Sequence, residues 1–233
     1  KDSLSMKTKW SHENKEFEVK SPLSGVITAM APIEDASLAI TTEFRLNGSK
    51  DLHHLFLTKK SRLGGSIFEE VTLSSIPETP DIDDIKSFKV FFNSIQELVQ
   101  RGWIVALHDI SDGGLLTSLA ELSFTNKVGM QVFLDDNIQK EEIFEYLFSE
   151  ETGVIVQFHD EFDEKAINFL RYKNIQYRKC ASLRENDQIV ISSDNGNHFK
   201  DSVVNLERIW SETSFAIKTL RDNPNSAKEE YEL

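Results

Sequence analysis

One short segment joins two stretches of different periodicity and restricts how this chain can fold. The apolar run at residues 103–107 has the length of a buried strand. Leu115, Leu119 and Leu122 then recur at helical spacing. Between them lies the acidic, glycine-containing sequence HDISDGG, residues 108–114. The pattern predicts a strand, a tight loop and a helix in direct succession.

The loop is compatible with two kinds of chemistry. Its two glycines let a ligand approach the backbone, and unpaired amides at the start of the helix favour a phosphate. Carboxylates beside a phosphate need an intervening divalent cation, so Asp109 and Asp112 predict a Mg²⁺-nucleotide site. The same residues are also ordinary turn formers, because Asp caps helices and Gly adopts positive φ. The loop alone leaves both interpretations open.

Composition limits the classes of protein and partner. A chain of 233 residues can hold one large domain or two small ones. Its net charge of −13 argues against nucleic acid and anionic membranes as partners. The single cysteine, Cys180, excludes an internal disulfide and a cysteine zinc site. Without an apolar stretch of membrane-spanning length or a signal peptide, we expect a cytoplasmic protein. Because residue 1 is not Met, we expect a piece of a longer chain.

The other predicted elements alternate without a strict βαβ repeat, which favours an α+β fold with helices packed on a mixed sheet. The predicted strands are residues 17–20, 26–31, 52–57, 130–134, 154–158, 177–183 and 188–192, with an Asn195-Gly196 hairpin turn after the last. The predicted helices are residues 67–73, a long helix from an Asp83 or Asp84 cap to Gly102, and residues 139–147, 163–172 and 202–220. Residues 222–225 are polar and are interpreted as a linker.

Three other groups of polar residues have a functional and a structural interpretation. Adjacent Glu150 and Glu151 could act as an acid/base pair, but in a turn before a strand a surface or hydrogen-bonding role is favoured. Lys59, Lys60 and Arg62 are interpreted as a solvated basic loop. His108 is interpreted as a structural histidine rather than an acid or base.

Six strings, in order along the chain, carry a family resemblance. They are KDSLSMKT (1–8), SPLS (21–24), LGGS (63–66), HDISDGG (108–114), LFSEETG (147–153) and LRDNP (220–224). Together they resemble the large, single-chain phosphoribosylformylglycinamidine synthase of purine biosynthesis. The resemblance implies the C-terminal part of the second of two halves that are each similar to aminoimidazole ribonucleotide synthetase. Residues 1–20 would be a remnant of the preceding subdomain, 21–205 the synthetase-like C-terminal domain, and 206–233 a helix and linker toward a glutaminase domain.

The resemblance also implies a function and a set of ligands. The parent enzyme would be an ATP- and glutamine-dependent ligase that converts formylglycinamide ribonucleotide to formylglycinamidine ribonucleotide. Its cofactors would be Mg²⁺ and ATP or ADP, and its partners the first half and the glutaminase of the same polypeptide. By residue-wise correspondence, Asp109 would ligate Mg²⁺ and Ser111 would contact the nucleotide, while Asp112, Gly113 and Gly114 would lie nearby.

No catalytic residue is implied for this segment. Its half-site would hold an auxiliary nucleotide without turning it over, and the segment alone would be inactive. Two alternatives remain: a purely structural scaffold braced by nucleotide, or part of a related ATP-dependent kinase of the same superfamily. Thiamine-monophosphate kinase and selenophosphate synthetase share the acidic Ser-Asp-Gly loop, but the first and last strings count against them.

Overall fold

The computed structural model describes residues 7–20, 27–33, 35–45, 47–134, 138–139, 142–193 and 196–232. The chain divides into two compact units, Lys1–Ser37 and Leu38–Leu233. Each unit is described by itself.

The first unit contains a β-hairpin. Strand β1 (Lys7–His12) pairs antiparallel with β2 (Lys15–Lys20), and Trp10 stacks on Phe17 across the pair with ring centroids 5.4 Å apart. The predicted strand at residues 17–20 is confirmed as the end of β2, whereas β1 was not predicted. The strand predicted at residues 26–31 is wrong, because residues 27–31 have no regular structure; Val26 lies outside the described residues.

The second unit is built on one mixed sheet. Its strands are β3 (Gly48–Phe56), β4 (Ile104–Asp109), β5 (Met130–Phe133), β6 (Gly153–His159), β7 (Gln176–Leu183), β8 (Gln188–Ser193) and β9 (Gly196–Ser202). Its helices are α1 (Ile67–Thr72), α2 (Ile85–Gln100), α3 (Gly114–Asn126), α4 (Ile143–Phe148), α5 (Asp163–Tyr172), α6 (Val203–Arg221) and α7 (Pro224–Tyr231). Short 3₁₀ helices occur at Ala36–Leu38 and Asp160–Phe162.

Within the described residues, the sheet has seven strands in the order β4-β6-β3-β7-β5-β8-β9. Neighbouring strands are antiparallel except for the parallel pair β5 and β8. The predicted α+β class with a mixed sheet is therefore confirmed.

Two apolar clusters cover the sheet, one on each face. Leu52 of β3 belongs to the cluster formed with α3, α4 and the start of α6, while Leu55 belongs to the cluster formed with α2 and α5. Residues three apart on a strand point to opposite faces, so β3 contributes to both cores. Burial on both sides explains why the central strands are apolar without strict alternation.

Helix boundaries largely follow local signals in the sequence. Asp84 is the N-cap of α2, and its carboxylate accepts hydrogen bonds from the amides of Lys86 and Ser87, as the sequence predicted. Ser66 caps α1 in the same way through the amide of Glu69. The helix predicted at residues 139–147 begins only at Ile143.

The C-terminal region differs from its predicted form. Residues 222–225 are not an extended linker, because Asn223 caps α7 through the amides of Asn225 and Ser226. Helix α7 folds back on α6, where the rings of Phe215 and Tyr231 stack with centroids 4.2 Å apart. Helix α6 also runs across residues 205 and 206, where a domain boundary was placed; the domain division stays a prediction.

Two further predictions concern the hairpin after β8 and membrane-spanning segments. The C-terminal hairpin is present, since Ser193 of β8 pairs with Gly196 of β9, although Asn195 lies outside the described residues. Strand β9 itself was not predicted. In the part of the chain that the structure describes, no helix has both the length and the apolar character needed to cross a bilayer.

Candidate functional site

The acidic loop follows β4 at one edge of the sheet. The strand continues two residues beyond its predicted end, so His108 and Asp109 belong to β4. The Asp109 side chain is 79% exposed. Asp112 lies in the loop that follows and is exposed. The strand therefore presents one carboxylate to solvent at its last position, and the loop carries another three residues later.

Two glycines make the turn from loop to helix. Gly113, at the N-cap of α3, has a φ of 84°, and Gly114 has a φ of 71°. A Cβ at Gly114 would lie 2.5 Å from the carbonyl carbon of Phe148, so both backbone conformation and space require glycine there. The prediction of positive φ is confirmed. The N-cap of α3 is Gly113, and no side chain makes a capping hydrogen bond. The interpretation of the loop aspartate, Asp112, as the helix cap is therefore wrong.

Two of the amides at this helix start, those of Gly113 and Gly114, are already occupied. The N–H of Gly113 donates to Glu150 Oε1 at 2.8 Å, and that of Gly114 donates to the carbonyl of Ser111 at 3.0 Å. The same Glu150 oxygen accepts the N–H of Ile67, the first residue of α1, at 3.0 Å. The predicted unpaired phosphate-binding amides are therefore wrong for these two glycines, because an internal carboxylate and a carbonyl fill that role.

A polar cluster lies behind the loop. His108 Nε2 is 3.0 Å from Glu121 Oε2, and the indole N–H of Trp210 donates to Glu121 Oε1 at 2.9 Å. The Ser111 hydroxyl is 3.4 Å from Glu121 Oε2 and from Ser118 Oγ. His108 is 13% exposed and contacts a carboxylate. These contacts agree with its structural interpretation, and they direct the Ser111 hydroxyl toward protein groups.

Sequence reasoning missed two members of this cluster. Glu121 is the one charged residue of α3, which is a local signal for a polar partner. Trp210 lies on α6, far along the chain, and nothing in the local sequence connects it to Glu121. Only the packing of α6 against α3 brings them together.

The second acidic pair is engaged in internal contacts. Glu151 makes a two-bond ion pair with Arg62: the guanidinium Nη2 donates to Oε2 at 2.9 Å, and Nε donates to Oε1. Their side chains are only 8% and 9% exposed. The hydrogen bond to Glu151 raises the pKa of the Arg62 guanidinium further above its ordinary value. The solvated-loop interpretation is thus wrong for Arg62. Lys60 pairs with Asp83 at 3.1 Å.

The acidic loop fits a metal only in combination with a ligand. No group of three or more His, Cys, Asp or Glu side chains that could hold a metal occurs among the described residues. Mg²⁺ is commonly held by one or two carboxylates together with phosphate oxygens and water. Exposed Asp109 matches that requirement as a single protein ligand, whereas the described part of the chain offers no complete cage.

The geometry defines a mixed-sheet α+β domain with an acidic strand–loop–helix corner. Residues 53–192 match the family model described as AIR synthase related protein, C-terminal domain. The chain belongs to this family, which confirms the resemblance at the level of the domain.

Solved structures with the same fold include proteins of Thermotoga maritima. PurL complexed with ATP has a TM-score of 0.57 and 16% identity, and the match covers 72% of this chain and 27% of PurL. PurL complexed with FGAR has a TM-score of 0.57 and 15% identity, with 82% and 30% covered. PurLQS has a TM-score of 0.55 and 16% identity, with 81% and 28% covered. The chain thus spans less than a third of these proteins.

Proposed function

We propose that this chain is part of a phosphoribosylformylglycinamidine synthase and forms one side of an auxiliary Mg²⁺-nucleotide site. The observation that carries the proposal is Asp109, an exposed carboxylate at the last position of β4, directly before a loop that leads into α3. The fold supports it, because the similar PurL of Thermotoga maritima has been solved with ATP, ADP and FGAR.

Asp109 would hold Mg²⁺, and the metal would neutralise charge on nucleotide phosphates. Asp112 lies on the same loop, near enough in sequence to affect the same ligand. Ser111 would contact the nucleotide as a hydrogen-bond acceptor, because its hydroxyl donates to Glu121 and its oxygen keeps a lone pair for a ligand. The amides of Gly113 and Gly114 have internal partners, so they are left out of the proposed phosphate contacts.

The contacts of Glu150, Glu151 and His108 favour a supporting role for this segment, without chemistry of its own. Glu150 accepts two backbone N–H groups, and Glu151 is ion-paired with Arg62. His108 contacts Glu121. A general acid or base must reach the substrate with an available proton site, and none of these three groups is uncommitted. We therefore infer that the segment binds and braces a nucleotide, and that the chain alone has no synthase activity.

The test uses a longer protein that contains this chain together with the preceding half. We expect Asp109→Asn to lose most of the nucleotide that co-purifies with the protein and to weaken Mn²⁺ binding measured by electron paramagnetic resonance. Asp160→Asn is the matched control, because Asp160 is an exposed carboxylate in the short helix after β6, away from the loop. Full nucleotide and Mn²⁺ occupancy in the Asp109 variant would overturn the metal assignment.

A second measurement separates the supporting role from a catalytic one. The isolated chain is mixed with formylglycinamide ribonucleotide, ATP, Mg²⁺ and ammonia, and the amidine product is measured. We expect no turnover. Product formed by this chain alone would contradict the supporting role while leaving the metal assignment intact.

A further inference from the structure

A cavity of about 370 Å³ lies where β3 ends and β7 begins. Its wall includes the side chains His54, Phe56, Lys59, Tyr146, Gln176 and Arg178. Asp109 and Ser111, the residues of the proposed magnesium and nucleotide contacts, are not among its lining residues.

Arg178 is the dominant charge in this cavity. Its guanidinium carbon lies 4.9 Å from the ring centroid of Phe56 and 4.0 Å from that of Tyr146. In the part of the chain that the structure describes, Arg178 makes no salt bridge, although the protein carries a net charge of −13. The acidic member of the wall, Glu151, is already paired with Arg62.

His54 adds a neutral hydrogen-bonding group beside the arginine. It is 7% exposed, and its Nδ1 lies 3.1 Å from Arg178 Nη2. Burial, with the charge of Arg178 as a smaller contribution, lowers the pKa of His54 well below its ordinary value. The imidazole is therefore neutral near pH 7. Because a guanidinium only donates, Nδ1 accepts and the proton resides on Nε2.

Two buried polar atoms at this place have no hydrogen-bond partner among the described residues. They are Arg178 Nε and His54 Nε2, and both carry an N–H. A buried donor without an acceptor is unfavourable, so the groups of the described residues do not fully satisfy this place. Lys59, exposed in the loop after β3, places a further positive charge at the cavity wall.

We propose that this cavity binds a small phosphate-bearing molecule, with its oxyanion held by the edge of the Arg178 guanidinium. The two aromatic rings hold the guanidinium in place, and Nη2 contacts His54. This leaves Nη1, which has no hydrogen-bond partner among the described residues, to meet the anion. Lys59 adds electrostatic attraction at the wall. A cavity of this volume is in the size range of small-molecule sites.

The test is a titration of the chain with inorganic phosphate at constant ionic strength, followed by amide and side-chain NMR shifts. We expect saturable shifts in the signals of Arg178 and His54. Arg178→Met keeps the aliphatic packing but removes the charged edge, and we expect its apparent Kd for phosphate to be at least about tenfold weaker. Absence of saturable shifts in the unaltered chain would overturn the proposal.

Arg184→Met is the matched control, because Arg184 donates to Gln131 at an exposed position outside the cavity. We expect it to keep phosphate affinity within about twofold of the unaltered chain. Equal weakening in both arginine variants would mean that phosphate responds to total charge, and would overturn the site. Acetate is titrated in parallel; saturation as tight as that of phosphate would overturn the phosphate assignment.

A milder variant covers the case in which Arg178→Met does not fold. Lys59→Gln changes an exposed loop residue, and we expect it to weaken phosphate binding about two- to fivefold without altering the fold. An unchanged phosphate Kd in this variant would contradict the proposed placement of the anion at this wall.

Discussion

Two pairs of carboxylates in this domain have similar chemistry and different surroundings. Asp109 and Asp112 lie around the loop before α3, and the Asp109 carboxylate contacts little besides the ring of its neighbour His108. Glu150 and Glu151 come just before β6, where one bridges two helix starts and the other neutralises a buried arginine. The aspartates are available to a ligand, and the glutamates are used to hold the structure together.

The two pairs show two uses of negative charge: one pair stays available to a ligand, and the other stabilises the fold. Glu150 reaches Gly113, so the structural pair directly supports the loop that carries the available pair. A loop with available carboxylates experiences mutual repulsion and contributes little to stability. Its geometry must therefore be fixed by contacts from elsewhere, and the glutamates provide them. The variants that follow test this division in order of decreasing expected effect.

The largest effect is expected for Glu151→Ala. Removing this carboxylate leaves the Arg62 guanidinium buried without its main partner, which costs roughly 3–5 kcal/mol of unfolding free energy. Urea denaturation measures the loss. Asp83→Ala is the control, since Asp83 pairs with the same arginine from a 46% exposed position and is expected to matter much less. Equal losses in the two variants would contradict the structural role of Glu151.

Gly114→Ala is expected to cause the second largest loss of unfolding free energy. The new Cβ would lie 2.5 Å from the Phe148 carbonyl carbon on a residue with a φ of 71°, so we expect a loss of roughly 2–4 kcal/mol. Gly102 has a similar φ of 65°, but an added Cβ there would have nothing within 4 Å, so Gly102→Ala isolates the backbone term, at about 1 kcal/mol. Thermal unfolding of both variants checks the difference. Similar values would show that close approach to Phe148 is unimportant.

Glu150→Ala is expected to cost about 1–2 kcal/mol, because two backbone N–H groups lose a charged acceptor while water replaces part of it. Hydrogen exchange should accelerate at Ile67 and Gly113. Glu70→Ala, a change on the same helix α1 away from this contact, serves as the control and should stay within about 0.5 kcal/mol. Unchanged protection of both amides would remove Glu150 from its bridging role.

The smallest effect on stability is expected for Asp109→Asn in the chain without nucleotide. Its side chain is 79% exposed, so the unfolding free energy should change by no more than about 0.5 kcal/mol. Urea denaturation of the isolated chain measures this. A loss above about 1 kcal/mol would show that Asp109 is structural and would erase the contrast between the two pairs.

Local signals predicted much of the fold. The boundaries of α5 and the Asp84 cap of α2 follow from apolar spacing and from the capping residue, both of which act within a few positions. Strand β9 was missed because its sequence is polar, and its place depends on pairing with β8. Helix α7 was missed because its polar sequence is stabilised by stacking of Tyr231 on Phe215.

In the candidate site, too, some features depend on neighbouring residues and others on the tertiary structure. The sequence by itself determined the strand–loop–helix order, the positive φ of Gly113 and Gly114, and the acidic character of the loop, since these depend on neighbouring residues. Only the tertiary structure decided which carboxylates remain available and which amides are occupied. Glu150 reaches Gly113 across 37 positions and Glu151 reaches Arg62 across 89, and such contacts depend on how the whole sheet is assembled.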